Sequence, residues 1–587
     1  MVIIESEDQI EYIEILNECR EGKSFCFVTD YEFQLSAKFS GLVWNCSLVV
    51  FKNCHFTGHL YFVNTHLGGG VQFENCTFMY GVTFDSCRSG DHHSILSDGS
   101  PFSISFSGCE VNNRLIVKDC NFQHKILIHR NSKVPNLEFE NTRLSAIEVK
   151  NSSVLGEVEI SGFVVSSSFD IQSTTFLKTV KFLHCGGDFY FSHSSFDKDI
   201  SVCQCVSNYF DARDIHCHGE FNLNENSVTT ELLLRDSVFE RTAVIIGYSS
   251  ADKQQPYIEK LNLKECDFKG GITFSGAKNQ HDVEIGNLLI SCSNRLKGNL
   301  NFIDAGIGNA EIFGINDQSI LMAFCRIRIL TLSRFINRGA LSLVSIHPID
   351  DPNSLFKVSK SVMGKTFISD CDLRKFSAIS IQDSNLTELT SSSVRWFNEN
   401  QLNKTEDVEM DLKVSRNGSY GPKKELYRQL KFAMERQGDL VARLDFKKRE
   451  FKCYRLELKY QDRYTKVGDR LILWLNLSNE YGFNWLRPMG LLLLFTFSLY
   501  LVMAIGINAD FKWSFDLYNF GPTVRYLVEN CHNYFILLNP THKVDELFQI
   551  RGQSKVTIWF YFADFLGRVI VSYLIFQTIT AFRKYTL

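Results

Sequence analysis

Residues 48–87 read LVVFKNCHFTGHLYFVNTHLGGGVQFENCTFMYGVTFDSC. Phe51, Phe62, Phe73 and Phe84 stand eleven residues apart, and each has an apolar partner two positions earlier (Val49, Leu60, Val71, Val82). Residues two apart share one face of an extended chain, so each run reads as a short strand with one buried face. The pattern continues in Leu137/Phe139, Ile147/Val149, Val158/Ile160, Phe169/Ile171, Val180/Phe182, Ile200/Val202, Phe221/Leu223 and Leu232/Leu234. Many runs end in polar corners such as KNC, ENC, DSC or KDC. Two runs make about 21 residues, one coil of a parallel β-helix. The fold expected is mainly β: a right-handed parallel β-helix or solenoid with an N-terminal helical cap, followed by an α-helical hairpin and two transmembrane helices.

The rest of the composition agrees. A chain of 587 residues exceeds what one core serves, which favours an elongated array or several domains. Its 50 Phe suit stacked pleated surfaces and its 9 Pro leave ladders uninterrupted. A net charge of −4 gives no global attraction to nucleic acid, so a nucleic-acid partner is not expected.

Phe51 and Cys54, Phe73 and Cys76, Phe84 and Cys87, and Phe106 and Cys109 share an offset of three, which predicts cysteine ladders at the corners. The start, MVIIESEDQIEYIEIL, has no basic stretch followed by an apolar one, so no export is expected and the 18 cysteines should be thiols. Cys203, Cys205, His216, Cys217 and His218 form the densest metal-ligand cluster. Their spacing matches no standard zinc pattern, and neither a metal nor a cofactor is expected.

The predicted organisation has five parts. Residues 1–24 form a helical cap, with Ile10, Ile13 and Leu16 on one face of a helix over 5–21. Residues 25–397 form the solenoid, with loop insertions around 240–355, where the register blurs. Residues 398–421 are a polar linker. Residues 422–470 form a basic helical hairpin with an apolar seam (Leu426, Leu430, Ala433, Leu440, Leu444, Phe451, Tyr454, Leu458) broken at Gln437-Gly438-Asp439. Residues 471–587 form a membrane domain with spans at about 488–508 and 557–580, joined by a segment over 509–556. Met489–Ile507 has 19 residues without a charge.

From Lys423 to Arg470 there are 15 Lys/Arg against 8 Asp/Glu. This basic excess places the hairpin and both termini on the cytoplasmic side of a bacterial inner membrane. Lys447, Lys448, Arg449, Lys452 and Arg455 are expected to meet anionic lipid headgroups, the alternative being a solvated face that only enforces topology. The second span carries Asp564, Gly567, Arg568, Ser572 and Gln577. Asp564 and Arg568, four apart, share a helix face, and charges in a span seek a partner or a wet cavity. They are pore or gate candidates, or else a structural salt bridge. One pair of spans encloses no channel, so conduction requires a homo-oligomer.

ELYRQLKFAMERQGD (425–439), FKKREF (446–451), FILLNPTHKVDEL (535–547), DFLGRVIVSYLIFQTITAFRKY (564–585) and the coil SDCDLRKFSAISIQDSNLTEL (369–389) together resemble bacterial pentapeptide-repeat-type solenoid proteins with a C-terminal, ion-channel-like two-span module. Strict pentapeptide repeats follow an A(D/N)LxX pattern, from which this chain departs. The resemblance implies membrane association and ion conduction, and some membrane proteins of this plan are suspected of acting in stress or anti-phage defence. It supplies no site residues.

No Walker A, dinucleotide, HExxH or GxSxG motif is present, so no enzyme is expected. The leading expectation is an oligomeric inner-membrane protein of channel or pore type, its cytoplasmic solenoid sensing or docking a protein partner. The alternatives are a non-conducting, membrane-tethered solenoid scaffold for protein or nucleic-acid partners and a carbohydrate-active β-helix enzyme.

Overall fold

The strand runs close into a stack. In the computed structural model, which describes residues 2–4, 25–90, 94–95, 101–162, 167–247, 257–276, 283–402, 420–460, 467–507, 524–549 and 558–583, the chain forms two units, Met1–Asp411 and Leu412–Leu587. The first is a parallel β-solenoid of about fifteen turns. The eleven-residue spacing alternates between two long ladders. Phe51 pairs with Phe73 and then Phe106 on one ladder, while Phe39, Phe62 and Phe84 pair on the other. Both ladders run from the first coil to the last: one from Phe25–Thr29 to Ala378–Gln382, the other, of sixteen strands, from Ala37–Ser40 to Thr390–Ser392. A third ladder of two- and three-residue strands runs between them and ends at Asp267–Phe268. A short fourth, Val43–Trp44 with His66–Leu67 and Arg88–Ser89, closes the earliest coils.

The many phenylalanines form columns along the axis. Ring centroids are 5.2 Å apart for Phe51/Phe73, 5.0 Å for Phe73/Phe106, 4.7 Å for Phe62/Phe84 and 4.8 Å for Phe56/Phe78. These rings are fully buried. Burying a phenylalanine contributes about 1.5–3 kcal/mol, and aromatic contact adds to it.

The polar corners have a backbone reason. The middle residue of KNC, ENC and DSC is left-handed: Asn53 φ 52°, Asn75 φ 50°, Ser86 φ 53°. Among the described solenoid residues 26 non-glycine positions have positive φ, and 13 of these are Asn or Asp, the types that tolerate this region best. At many of these corners the next residue points inward and its side chain donates to a carbonyl of the preceding coil. Cys76 Sγ lies 3.3 Å from Phe51 O, Cys87 Sγ 3.3 Å from Phe62 O and Cys109 Sγ 3.3 Å from Phe73 O. Thr65, Ser132 and Thr174 make the same bond to Phe39, Phe106 and Val149. The cysteines are thus one choice among small donors. Burial pushes the thiols of Cys266 and Cys325 up to about 12, which keeps them protonated as donors. Sixteen described cysteines are free thiols. Cys26, on the first coil, departs from the expected thiol state and is disulfide-bonded.

Between 240 and 355 the ladder continues through Ile258–Lys264, Ile285–Cys292, Gly306–Asn316 and Arg326–Asn337. The step between paired residues grows to 27 from Ile258 to Ile285 and to 26 from Ile329 to Leu355, and residues 348–354 join two strands without pairing in a ladder, so a fixed eleven-residue offset no longer locates the strands. Val2–Ile4 is a strand paired in parallel with Tyr31–Phe33. The helix expected over 5–21 and most of the 398–421 linker lie outside the described residues.

The second unit is helical. Helices α1 (Tyr420–Gln437) and α2 (Leu440–Tyr460) form the hairpin. Gly438, at φ 76°, turns the chain, and the Asp439 carboxylate accepts from the Ala442 amide at 3.0 Å. Helix α3 (Val467–Asn476) crosses the boundary drawn at residue 470, because its apolar face continues past it. Helices α4 (Leu486–Ile507) and α6 (Ile558–Phe582) are long and apolar enough to cross a membrane. They run antiparallel: Trp485 stacks on Phe582 at 4.6 Å, while Tyr500, Met503 and Ala504 share a buried cluster with Phe560. Between them, residues 524–529 and helix α5 (His532–Leu537) lie back along α4. The Tyr500 hydroxyl donates to Leu527 O at 2.7 Å, and the Tyr534 hydroxyl reaches Leu493 O at 3.5 Å.

Candidate functional site

Helix α6 buries Phe560, Asp564, Gly567, Val571, Leu574, Gln577 and Ala581. The three- and four-residue steps make these one stripe. The opposite side, including Phe562, Phe565, Val569, Phe576 and Ile579, is exposed. Asp564 therefore sits on the packed face, and what it meets there is His542. Nε2 of His542 is 2.9 Å from Oδ1 of Asp564, and the two side chains are only 2% and 4% exposed. The other ring nitrogen, Nδ1, is 2.6 Å from the Asn539 carbonyl. The Asn539 carbonyl can only accept, so the ring donates from Nδ1 and turns Nε2 to the Asp564 carboxyl. Arg568 completes the group: its Nε lies 2.8 Å from Asp564 Oδ2, close enough for an ion pair, although that N–H does not point at the oxygen. Arg568 is ten residues into the 25-residue helix, about 15 Å along it.

The structure thus joins Asp564 and Arg568 and adds His542, which sequence reasoning missed. The signal was present in the stretch FILLNPTHKVDEL, but a hydrogen bond between residues 22 positions apart has no periodicity to reveal it. Gly567 has a packing role. A Cβ there would come 2.4 Å from Leu499 Cδ2, so the glycine lets α4 and α6 approach closely. Gln577 is buried and its side-chain oxygen accepts from Asn479 Nδ2. Beside it the Tyr573 hydroxyl meets Ser478 Oγ at 3.1 Å. Ser572 alone of the five candidates on this helix is exposed.

The hairpin cations divide likewise. Lys448 is 2.8 Å from Glu480 and lies over the Phe483 ring, and Arg449 is 2.6 Å from Asp445. Lys447 is half-buried, and burial, with Arg443 and Lys431 nearby, lowers its pKa. Lys452 and Arg455 are exposed. Lys448 and Arg449 are therefore engaged within the chain.

On the solenoid, the metal-ligand cluster falls apart by direction. Cys205 and Cys217 are buried, and Cys217 donates to Gly219 O at 3.4 Å. His216, on a strand of the third ladder, and His218, just past its end, point outward.

Residues 45–88 match the family model of pentapeptide repeats (9 copies). The match covers the coils whose Phe51, Phe62, Phe73 and Phe84 set the period, and the repeat-type β-solenoid expected from sequence is what the structure contains. The two apolar C-terminal helices agree with the expected two-span module. No curated protein and no solved structure matches the chain.

Proposed function

We propose that this is an oligomeric inner-membrane protein of channel type whose cytoplasmic pentapeptide-repeat solenoid senses or docks a protein partner. The observation that carries the reading is the buried His542–Asp564 bond, which ties the segment between the two apolar helices to the packed face of the second. A span, a segment returning alongside it and a second span make a unit that several copies can arrange around an axis.

Three further features support it. Helices α4 and α6 expose rows of large apolar side chains, among them Leu491, Leu494, Phe497, Phe562 and Phe565, which water would not tolerate. Val467, Leu471, Ile472 and Trp474 of α3 are also exposed just before α4, as suits a helix lying at a lipid surface. The antiparallel pair returns its outer ends to one side, in keeping with cytoplasmic termini and the basic hairpin. In this reading Asp564, Gly567 and Gln577 hold the unit together, whereas Ser572 and the partly exposed Arg568 are the groups a neighbouring copy or a lumen would meet. The exposed Lys452 and Arg455 face lipid headgroups in this reading.

Planar-bilayer recording on the purified oligomer tests the proposal. Discrete conductance steps altered by Arg568→Ala are expected. A particle that purifies as a monomer in detergent and stays silent would instead favour a non-conducting, membrane-tethered scaffold.

A further inference from the structure

We infer that His216, His218 and Glu240 form a surface site on the solenoid for a divalent transition-metal ion of the zinc class. His216 opens the two-residue strand His216–Cys217 of the third ladder and His218 directly follows it, so the two rings lie on the outer side, flanking the buried Cys217. Their centroids are 4.1 Å apart. The next coil supplies the third group. The Glu240 amide donates to Cys217 O as the His218 amide does to Phe196 O, which stacks Glu240 directly over His218. One donor atom from each of the three side chains lies within 4.8 Å of the others, and His216 Nε2 is already 3.0 Å from Glu240 Oε1.

Ligands about 2.0–2.2 Å from a tetrahedral zinc sit a little over 3 Å from one another, so small side-chain rotations suffice. Two imidazoles and a carboxylate suit zinc, copper or nickel better than calcium or magnesium. Three protein ligands at a partly exposed position leave a coordination site open to water. Cys217 shares the strand but points into the core, so the site takes nitrogen and oxygen and no sulfur. A competitor is also built in: Lys269, one coil further, holds Glu240 Oε1 at 2.7 Å. Together the lysine and His216 keep Glu240 below the usual carboxylate range, so it is ionised at neutral pH. Metal binding must displace the ammonium.

The test uses the full chain, untagged and in detergent. Zinc is titrated against a chromogenic chelator, and cobalt is added separately for its spectrum. One saturable equivalent is expected, with cobalt d–d bands and no thiolate charge transfer. His218→Ala and His216→Ala should each weaken binding by more than about 10-fold, and Lys269→Met should tighten it by up to about 10-fold. These side chains lie on the surface, and an unchanged β-sheet circular dichroism spectrum verifies that each variant folds. Failure of both the wild type and Lys269→Met to bind zinc would overturn the inference. So would undiminished binding in His218→Ala, or a cobalt spectrum dominated by thiolate.

Discussion

Asp564→Asn removes a charge while keeping the shape of the side chain, and its cost can be worked from the geometry. Asparagine retains an oxygen for His542, so that contact changes least. The main loss falls on Arg568, which is 29% exposed and has no other counter-charge within reach among the described residues. Breaking a buried ion pair by deleting one partner costs about 3–5 kcal/mol. The partial exposure of Arg568 puts this case at the low end. Placing an arginine at the centre of a membrane helix costs about 2.5–3.5 kcal/mol on insertion scales, which leads to the same figure. A loss of about 3 kcal/mol is about 150-fold in the folding equilibrium. Denaturant unfolding in micelles, followed by tryptophan fluorescence, measures it, since Trp485 and Trp559 report on these helices. Ser572→Ala, on the exposed side of the same helix, should change stability by under about 0.5 kcal/mol. The double variant Asp564→Asn/Arg568→Gln should be more stable than Asp564→Asn alone, because the unpaired guanidinium is gone. If Asp564→Asn loses less than about 1 kcal/mol, or if the two substitutions add, the network is not what holds the segment to the helix.

Three further outcomes are expected. At the Asn75 corner (φ 50°), Asn75→Gly should be close to neutral, whereas Asn75→Val should cost about 1–2 kcal/mol in thermal unfolding of the solenoid; equal effects would refute the left-handed corner as the reason for the residue. Gly567→Ala should be mild, because the contact is with the flexible end of Leu499, while Gly567→Ile should lower detergent stability by about 1–3 kcal/mol; the reverse order would rule out close helix approach. For Lys447, burial first and the nearby Arg443 and Lys431 second lower the pKa, so the unfolded chain binds this proton more tightly. Stability linked to Lys447 therefore rises with pH, from the lowered folded value to the ordinary lysine range near about 10.4. Lys447→Met should be the more stable protein at pH 7, with the gap closing as pH rises; a less stable variant at pH 7 would contradict the assignment.

The solenoid was legible because its period is carried by side chains that stack on themselves. Phe51 over Phe73 and Phe62 over Phe84 are the same fact in sequence and in space. Register was lost after residue 240 because extra residues between strands stretch the step to 27 from Ile258 to Ile285 and to 26 from Ile329 to Leu355, without changing the inward pattern. In the C-terminal unit, the helices declared themselves by hydropathy and Asp564/Arg568 by their spacing of four. His542 stayed hidden, as did the antiparallel contact of Trp485 with Phe582, since both depend on how distant segments return. The hairpin cations were legible as a basic excess but not as individuals. Whether Lys448 faces lipid or Glu480 is decided by a residue 32 positions away.

The corners explain why the chain is rich in cysteine without using its chemistry. Each coil must turn sharply, and a left-handed residue does so at a cost of about 1–2 kcal/mol, less for Asn or Asp. The turn leaves the next side chain pointing inward under a carbonyl of the preceding coil. A residue there has to suit the core, and one that can also donate satisfies the carbonyl. Serine and threonine can donate, and cysteine donates while remaining apolar. Where a large residue occupies the left-handed position, as at Phe324 (φ 57°), a cysteine still follows, and Cys325 Sγ lies 3.3 Å from Phe302 O. At other corners the donor is dispensed with, and buried Ile215, Ala305, Phe335 and Ile346 follow the left-handed residue. Stability is then held coil by coil. A solenoid built this way can vary its outward residues, including His216, His218 and Glu240, without disturbing the ladders that carry them.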